Sequence, residues 1–241
     1  MKIKQNLALI TNLVCAVLQI YALTMAFMAR GFSPLQYYTI DSNIFACLSS
    51  IVLVVSLLIK GRTPLWVHKF RYYATCCVTV TLVVVLVILI PSAGFSSAPE
   101  LLFQGTNLWQ HTICPLLGIC SFLFFEKDEK LDVNQSTYAL IPTLIYGIIA
   151  ILLNAIRVIR GPYAFLYIYE QSILVTFMWM IIIMGIAYII AEGLEKGMAE
   201  GLERGMAEGI ILTARNLKQA GISKEIIAQT TGLSTEEIDQ L

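Results

Sequence analysis

Six stretches of the chain are long and apolar enough to cross a bilayer, at roughly residues 6–29, 37–59, 72–91, 108–125, 138–156 and 171–191. At ~1.5 Å per residue, each stretch covers most or all of the ~30 Å hydrocarbon core. Inside lipid a spanning segment must satisfy its own backbone hydrogen bonds, and a helix does so. The expected fold class is therefore all-α: a six-transmembrane helix bundle, residues 1–191, followed by a short cytoplasmic helical tail, residues 192–241. The chain is 58% hydrophobic and 13% charged. That charged share is about half the soluble average and points to a multi-pass membrane protein.

Charge sets the expected orientation. Up to residue 191 there are eleven basic and seven acidic side chains, and beyond it five and nine. With both termini in the cytoplasm, Lys2, Lys4, the group Lys60, Arg62, Lys69 and Arg71, and then Lys127 and Lys130 lie inside, leaving Arg30, Arg157 and Arg160 outside. This split obeys the positive-inside rule. The first apolar run continues to Ala29 without a small-residue cleavage site, too long for the core of a secretory signal. The six cysteines lie in apolar runs without paired spacing, so they read as small packing residues, and no metal or cofactor is expected.

Cysteines and tyrosines aside, only Asp41 and His111 are ionisable within these stretches. Such groups are costly in lipid and are candidates for function. His111 is the fourth residue of the fourth stretch and Thr39 the third of the second, so in this orientation both lie at one depth near the extracytoplasmic leaflet. Thr39, Ser42 and Asn43 share a helix face, while Asp41 points about 200° away from Thr39. Thr143, Gly147, Ala150, Asn154 and Arg157 form a small and polar seam on the fifth helix. Pro115 removes the N–H that would bond the carbonyl of His111.

These groups fit two readings. One is ordinary interfacial decoration by hydrogen-bonded polar residues and aromatic belts. The other is a catalytic dyad in which a neutral imidazole, His111, takes the proton of a threonine nucleophile, Thr39. Asn43, Thr112, Asn154 and Arg157 are then candidate oxyanion donors, and Asp41 or Glu170 a candidate to orient the imidazole.

The stretches "YYTIDSN", Tyr37 to Asn43, and "HTICPLL", His111 to Leu117, resemble motifs of the androgen-induced and androgen-dependent TFPI-regulating protein family. "GPYAFLYIYE", Gly161 to Glu170, is similar to a third segment of that family, usually centred on Tyr-Pro-Phe-Leu; here Pro162 precedes Tyr163. The resemblance covers residues 1 to about 191 and implies six membrane helices and hydrolysis of fatty acid esters of hydroxy fatty acids. It assigns Thr39 as nucleophile and His111 as base. Its many bacterial relatives imply a bacterial cell membrane. Asp41 and Asn43 beside the threonine depart from the pattern and leave room for a different substrate.

Residues 192–209 nearly repeat an eight-residue unit with glycine at every fourth position, Gly193 to Gly209. Five glycines cost a helix about 4 to 5 kcal/mol relative to alanine. Apolar residues recur at the same period, so both self-association and a flexible charged spacer fit. Beyond the repeat, Ser223 and Ser234 are expected N-caps, with Ser234 and Glu237 forming a capping box. The tail resembles those of Rpn-type transposase-associated nucleases, but its acidic excess opposes nucleic-acid binding.

The leading expectation is a membrane hydrolase of lipid-like esters with membrane lipids as its surroundings. The alternative is a non-enzymatic adaptor or sensor whose tail oligomerises or recruits a partner. A transporter is a weaker third choice, since no inverted repeat or paired broken helices are visible.

Overall fold

The computed structural model describes residues 2–126, 131 and 134–241, and it is helical with no strand among them. Lys127 and Lys130, counted above as cytoplasmic, lie outside the described residues, as does the side chain of Lys2. Six helices are long and apolar enough to span a membrane: α1 Ile3–Arg30, α2 Tyr38–Lys60, α3 Leu65–Ala93, α4 Leu108–Phe125, α5 Gln135–Ala155 and α6 Ile173–Gln219. The chain divides into two compact units, Met1–Met198 and Ala199–Leu241.

In the first unit α3 is the central helix. Of its most apolar window 67% is buried, against 28% for α5. It packs on α2 and α4, while α1 packs on the same two helices from outside. α5 turns its small and polar seam inward: Thr143, Gly147, Ala150 and Asn154 are buried, and Arg157 falls beyond the helix end, exposed and at a φ of 59°. The first unit extends seven residues past 191, because Leu194 and Met198 pack on Tyr72 and Phe122.

α3 begins at Leu65, earlier than the expected 72, so His68, Lys69 and Arg71 belong to a helix and not to a basic loop. A hydropathy scan stops at such residues. Arg71 is nevertheless only 1% exposed because the fold meets its charge. Its Nε donates to Glu126 Oε2 at 3.1 Å and its Nη2 to Oε1 at 3.0 Å, while Nη1 donates to the Ser49 and Ser50 hydroxyls, each at 3.1 Å. Glu126 Oε1 also accepts from Asn12 Nδ2 at 2.9 Å and Ser121 Oγ at 2.7 Å. One buried ion pair thus ties α1, α2, α3 and α4. His68 is buried too, stacked on Phe122 at 5.4 Å with Nε2 2.9 Å from Met198 Sδ. Asp41 and His111 are therefore not the only ionisable groups inside the helical bundle.

The glycine-rich repeat is helical, as part of α6. Two exposed ion pairs, Glu192 with Lys196 and Glu200 with Arg204, add little because solvent screens them. The repeat does not have to nucleate a helix, since apolar helix precedes and follows it, and propagation is far less costly than nucleation. In the second unit Ala214, Ile227 and Ile238 form a small core between the last part of α6 and two short helices, α7 Lys224–Thr231 and α8 Thr235–Asp239. Lys218 Nζ caps the carbonyls of Ile238 and Asp239 at 2.8 and 3.0 Å. Ser234 and Glu237 make the expected capping box, whereas Ser223 stands at the N-cap without a side-chain bond to the helix backbone.

Removing one partner of a buried ion pair strands the other, which costs about 3 to 5 kcal/mol. Arg71→Met and Glu126→Gln are each expected to lower the thermal midpoint of the detergent-purified protein sharply. Combining Arg71→Met with Glu126→Met should recover most of the loss; a double variant as unstable as the sum of the singles would contradict this account.

Candidate functional site

α2 and α4 begin at the same end of the first unit, where their first residues meet. As the second residue of α2, Thr39 places its Oγ1 3.2 Å from His111 Nε2, and both residues are 8% exposed. The ring's other nitrogen, Nδ1, is 2.7 Å from the main-chain carbonyl of Leu101. A carbonyl only accepts, so Nδ1 carries the proton and the neutral ring presents an Nε2 lone pair to the Thr39 hydroxyl. The tautomer is the one a general base requires.

Pro115 contributes locally. Without an N–H it cannot continue the ladder, and the turn before it widens to a π-helix over Leu108–Ile113, closed by the Cys114 N–H on the Trp109 carbonyl. His111 sits in that wide turn. The same device recurs in α3, where Pro91 follows a π turn at Val85–Leu89 closed by Ile90 on Val85. Leu101 belongs to a short helix, Ala98–Phe103, which returns over the start of α4 and also takes the Thr112 hydroxyl on the Leu102 carbonyl at 2.8 Å.

Thr39 also lines a narrow apolar pocket with a cavity volume of about 50 Å³, whereas His111 stands behind the threonine and off the pocket wall. The wall is built from α2, α3, α5, α6 and the loop after α5, with Val84, Leu89, Gly147, Phe165, Trp179 and Ile183 prominent. Tyr163 on that loop lines the pocket with Thr39 and stacks on Phe165 at 5.1 Å. Its O–H is one of several on the wall, with those of Tyr38, Thr81, Thr143 and Tyr146. The sequence assigns Tyr163 no role, because one loop aromatic among several carries no positional signal.

The other candidates have different places. Asn43 Nδ2 donates to the carbonyls of Thr39 at 2.8 Å and Gln110 at 3.1 Å, so it braces α2 against α4 directly beneath the pair. Thr112 is engaged with Leu102. Asn154 donates to the carbonyls of Arg160 and Leu166, the latter at 2.6 Å, and so holds the loop that carries Tyr163. Gly161, at φ +106°, lies against this amide, where a Cβ would be 2.8 Å from Asn154 Nδ2. Arg157 lies over the Tyr169 ring, 4.9 Å from its centroid. Glu170 pairs with Arg160 at 2.6 Å on the surface, and burial-free contact with that carboxylate raises the Arg160 pKa. Asp41 faces a separate groove. Among the described residues no carboxylate bonds His111; the main-chain carbonyl of Leu101 orients it.

No group of three or more potential metal-ligating side chains is found among the described residues. Comparison of the chain with protein-family models, with curated proteins and with solved structures gave no match.

The tautomer is open to direct measurement. With ¹⁵N-labelled histidine, and His68→Gln to assign the two signals, His111 is expected to show a protonated Nδ1 and an unprotonated Nε2 at neutral pH. A protonated Nε2 would remove the base from the pair.

Proposed function

We propose that the protein is an integral membrane hydrolase of lipid-like esters that works through an acyl-threonine intermediate. The observation that carries this reading is the hydrogen-bonded pair Thr39 and His111, with the threonine on the wall of an apolar pocket and the imidazole fixed by Leu101. The likeness of the segments around Thr39 and His111 to the androgen-induced family motifs supports it.

In the first half of the reaction Thr39 Oγ1 attacks the ester carbonyl carbon as its proton passes to His111 Nε2. One of the hydroxyls on the pocket wall, that of Tyr163 among them, hydrogen-bonds the developing oxyanion. Collapse of the tetrahedral species expels the alcohol oxygen, which takes the proton from His111. In the second half a water gives its proton to His111 while its oxygen attacks the acyl-threonine, releasing the fatty acid and restoring the Thr39 hydroxyl. An apolar pocket with few polar groups suits an acyl chain.

The proposal sets both termini in the cytoplasm, with the site towards the extracytoplasmic leaflet of a bacterial cell membrane. With Arg71 buried, Lys60, Arg62 and Lys69 still mark the inner side, which keeps the positive-inside pattern. The tail, with its own small core, favours a second role as a protein-interaction module that self-associates or recruits a cytoplasmic partner; its acidic excess argues against nucleic acid.

A fluorophosphonate probe is expected to label the detergent-purified protein at Thr39 and not to label Thr39→Ala. His111→Ala should slow labelling by about 10² to 10⁴-fold. Labelling that persists in Thr39→Ala would remove the mechanism. Deleting 199–241, which spares Leu194 and Met198 in the bundle core, is expected to leave ester hydrolysis unchanged; loss of hydrolysis in a folded truncated protein would make the tail part of the enzyme.

A further inference from the structure

Asp41 stands on the opposite side of α2 from Thr39 and faces a second groove, about 830 Å³ of empty space with its opening, between α2 and α5. The groove is otherwise apolar or neutral. Ile145, Ile149 and Leu153 form its α5 wall at helical spacing, Tyr146 closes it towards the first pocket, and no lysine or arginine lines it. Ile145 and Ile149 are half exposed, so the groove opens sideways, where a bilayer would meet the protein.

The carboxylate has no hydrogen bond or ion pair among the described residues. Arg160 is engaged with Glu170 and Arg157 lies over Tyr169, both at a separate surface pocket. Asp41 lies in the first turn of α2, where the positive end of the helix dipole offsets part of what burial costs the carboxylate. A lone carboxylate in a greasy, lipid-facing groove is costly unless something pairs with it. The fold supplies length, an apolar wall and one negative charge, and leaves the positive charge to a ligand.

We propose that this groove is a second ligand site, distinct from the Thr39 pocket, that binds a cationic amphiphile with its ammonium group on Asp41 and its alkyl chain along Ile145, Ile149 and Leu153. The site does not depend on ester hydrolysis. It shares Tyr38 and Tyr146 with the Thr39 pocket, and these rings meet edge to face at 5.1 Å, so an occupant would press on the wall that both cavities use.

The test is equilibrium binding of radiolabelled dodecylamine, with uncharged dodecanol as control, to the full-length protein in an uncharged maltoside. The wild type is expected to bind the amine at least about tenfold more tightly than the alcohol, the factor set by ~1.4 kcal/mol of charge pairing. Asp41→Asn should abolish that preference, and Thr39→Ala should keep it. Ile149→Trp, at a half-exposed position, should weaken both ligands by filling the groove. Equal binding of amine and alcohol by the wild type, or an undiminished preference in Asp41→Asn, would overturn the proposal. Should Asp41→Asn not fold, the wild-type preference and its loss of affinity in Ile149→Trp decide the matter. Competition in nanodiscs identifies the source: displacement by phosphatidylethanolamine but not phosphatidylglycerol marks a lipid headgroup, and displacement only by single-chain amines marks a free amine. Because binding is read without turnover, a protein that hydrolyses no ester can still pass or fail this test.

Discussion

The buried pair of Arg71 and Glu126 sets the register on which the first unit depends. Its hydrogen bonds reach Ser49 on α2 and Ser121 on α4, two helices that run in the same direction. Thr39 precedes Ser49 by ten residues, and His111 precedes Ser121 by ten. Fixing the level of the two serines therefore fixes the level of the two site residues, ~15 Å away along each helix. Between lipid-facing helices there is little hydrophobic force to hold a register, since lipid tails are as apolar as the side chains. A desolvated ion pair with every oxygen and nitrogen bonded does that work, because sliding either helix would strand a charge.

Two prolines then shape the helices at the site end. Each follows a widened turn, one carrying His111 and the other carrying Val85 and Leu89 on the pocket wall. A regular helix through Pro115 would press the ring against the carbonyl of His111. The relaxed turn turns the imidazole between Leu101 and Thr39 instead. Asn43 and Asn154 complete the frame, one beneath the pair and one inside the loop after α5, both acting on main-chain carbonyls.

The helical architecture and much of the site were legible in the sequence because both follow periodic rules. Long apolar runs gave the helices, and a shared depth with a favourable face brought Thr39 to His111. The seam Thr143, Gly147, Ala150 and Asn154 was readable for the same reason. The start of α3 was not, since hydropathy counts Arg71 as a loop residue and cannot see that Glu126, fifty-five positions away, cancels it. Nor could spacing reveal the partner of Nδ1, because every residue has a carbonyl and only the return of Ala98–Phe103 decides which one is near. Glu170 and Arg157 are candidates by residue type, with no sequence signal for where their side chains point. The short loop after α5 turns them outward, towards Arg160 and Tyr169.

That the imidazole is steadied by a peptide oxygen has a chemical corollary. A neutral dipole holds the ring's direction at any acidity, but it offers an arriving proton less welcome than a negative ion would. In the proposed hydrolase the imidazole would thus be aimed without help from a charged neighbour. That arrangement also leaves evolution free to alter every side chain on the covering turn, so long as the path of its backbone is kept.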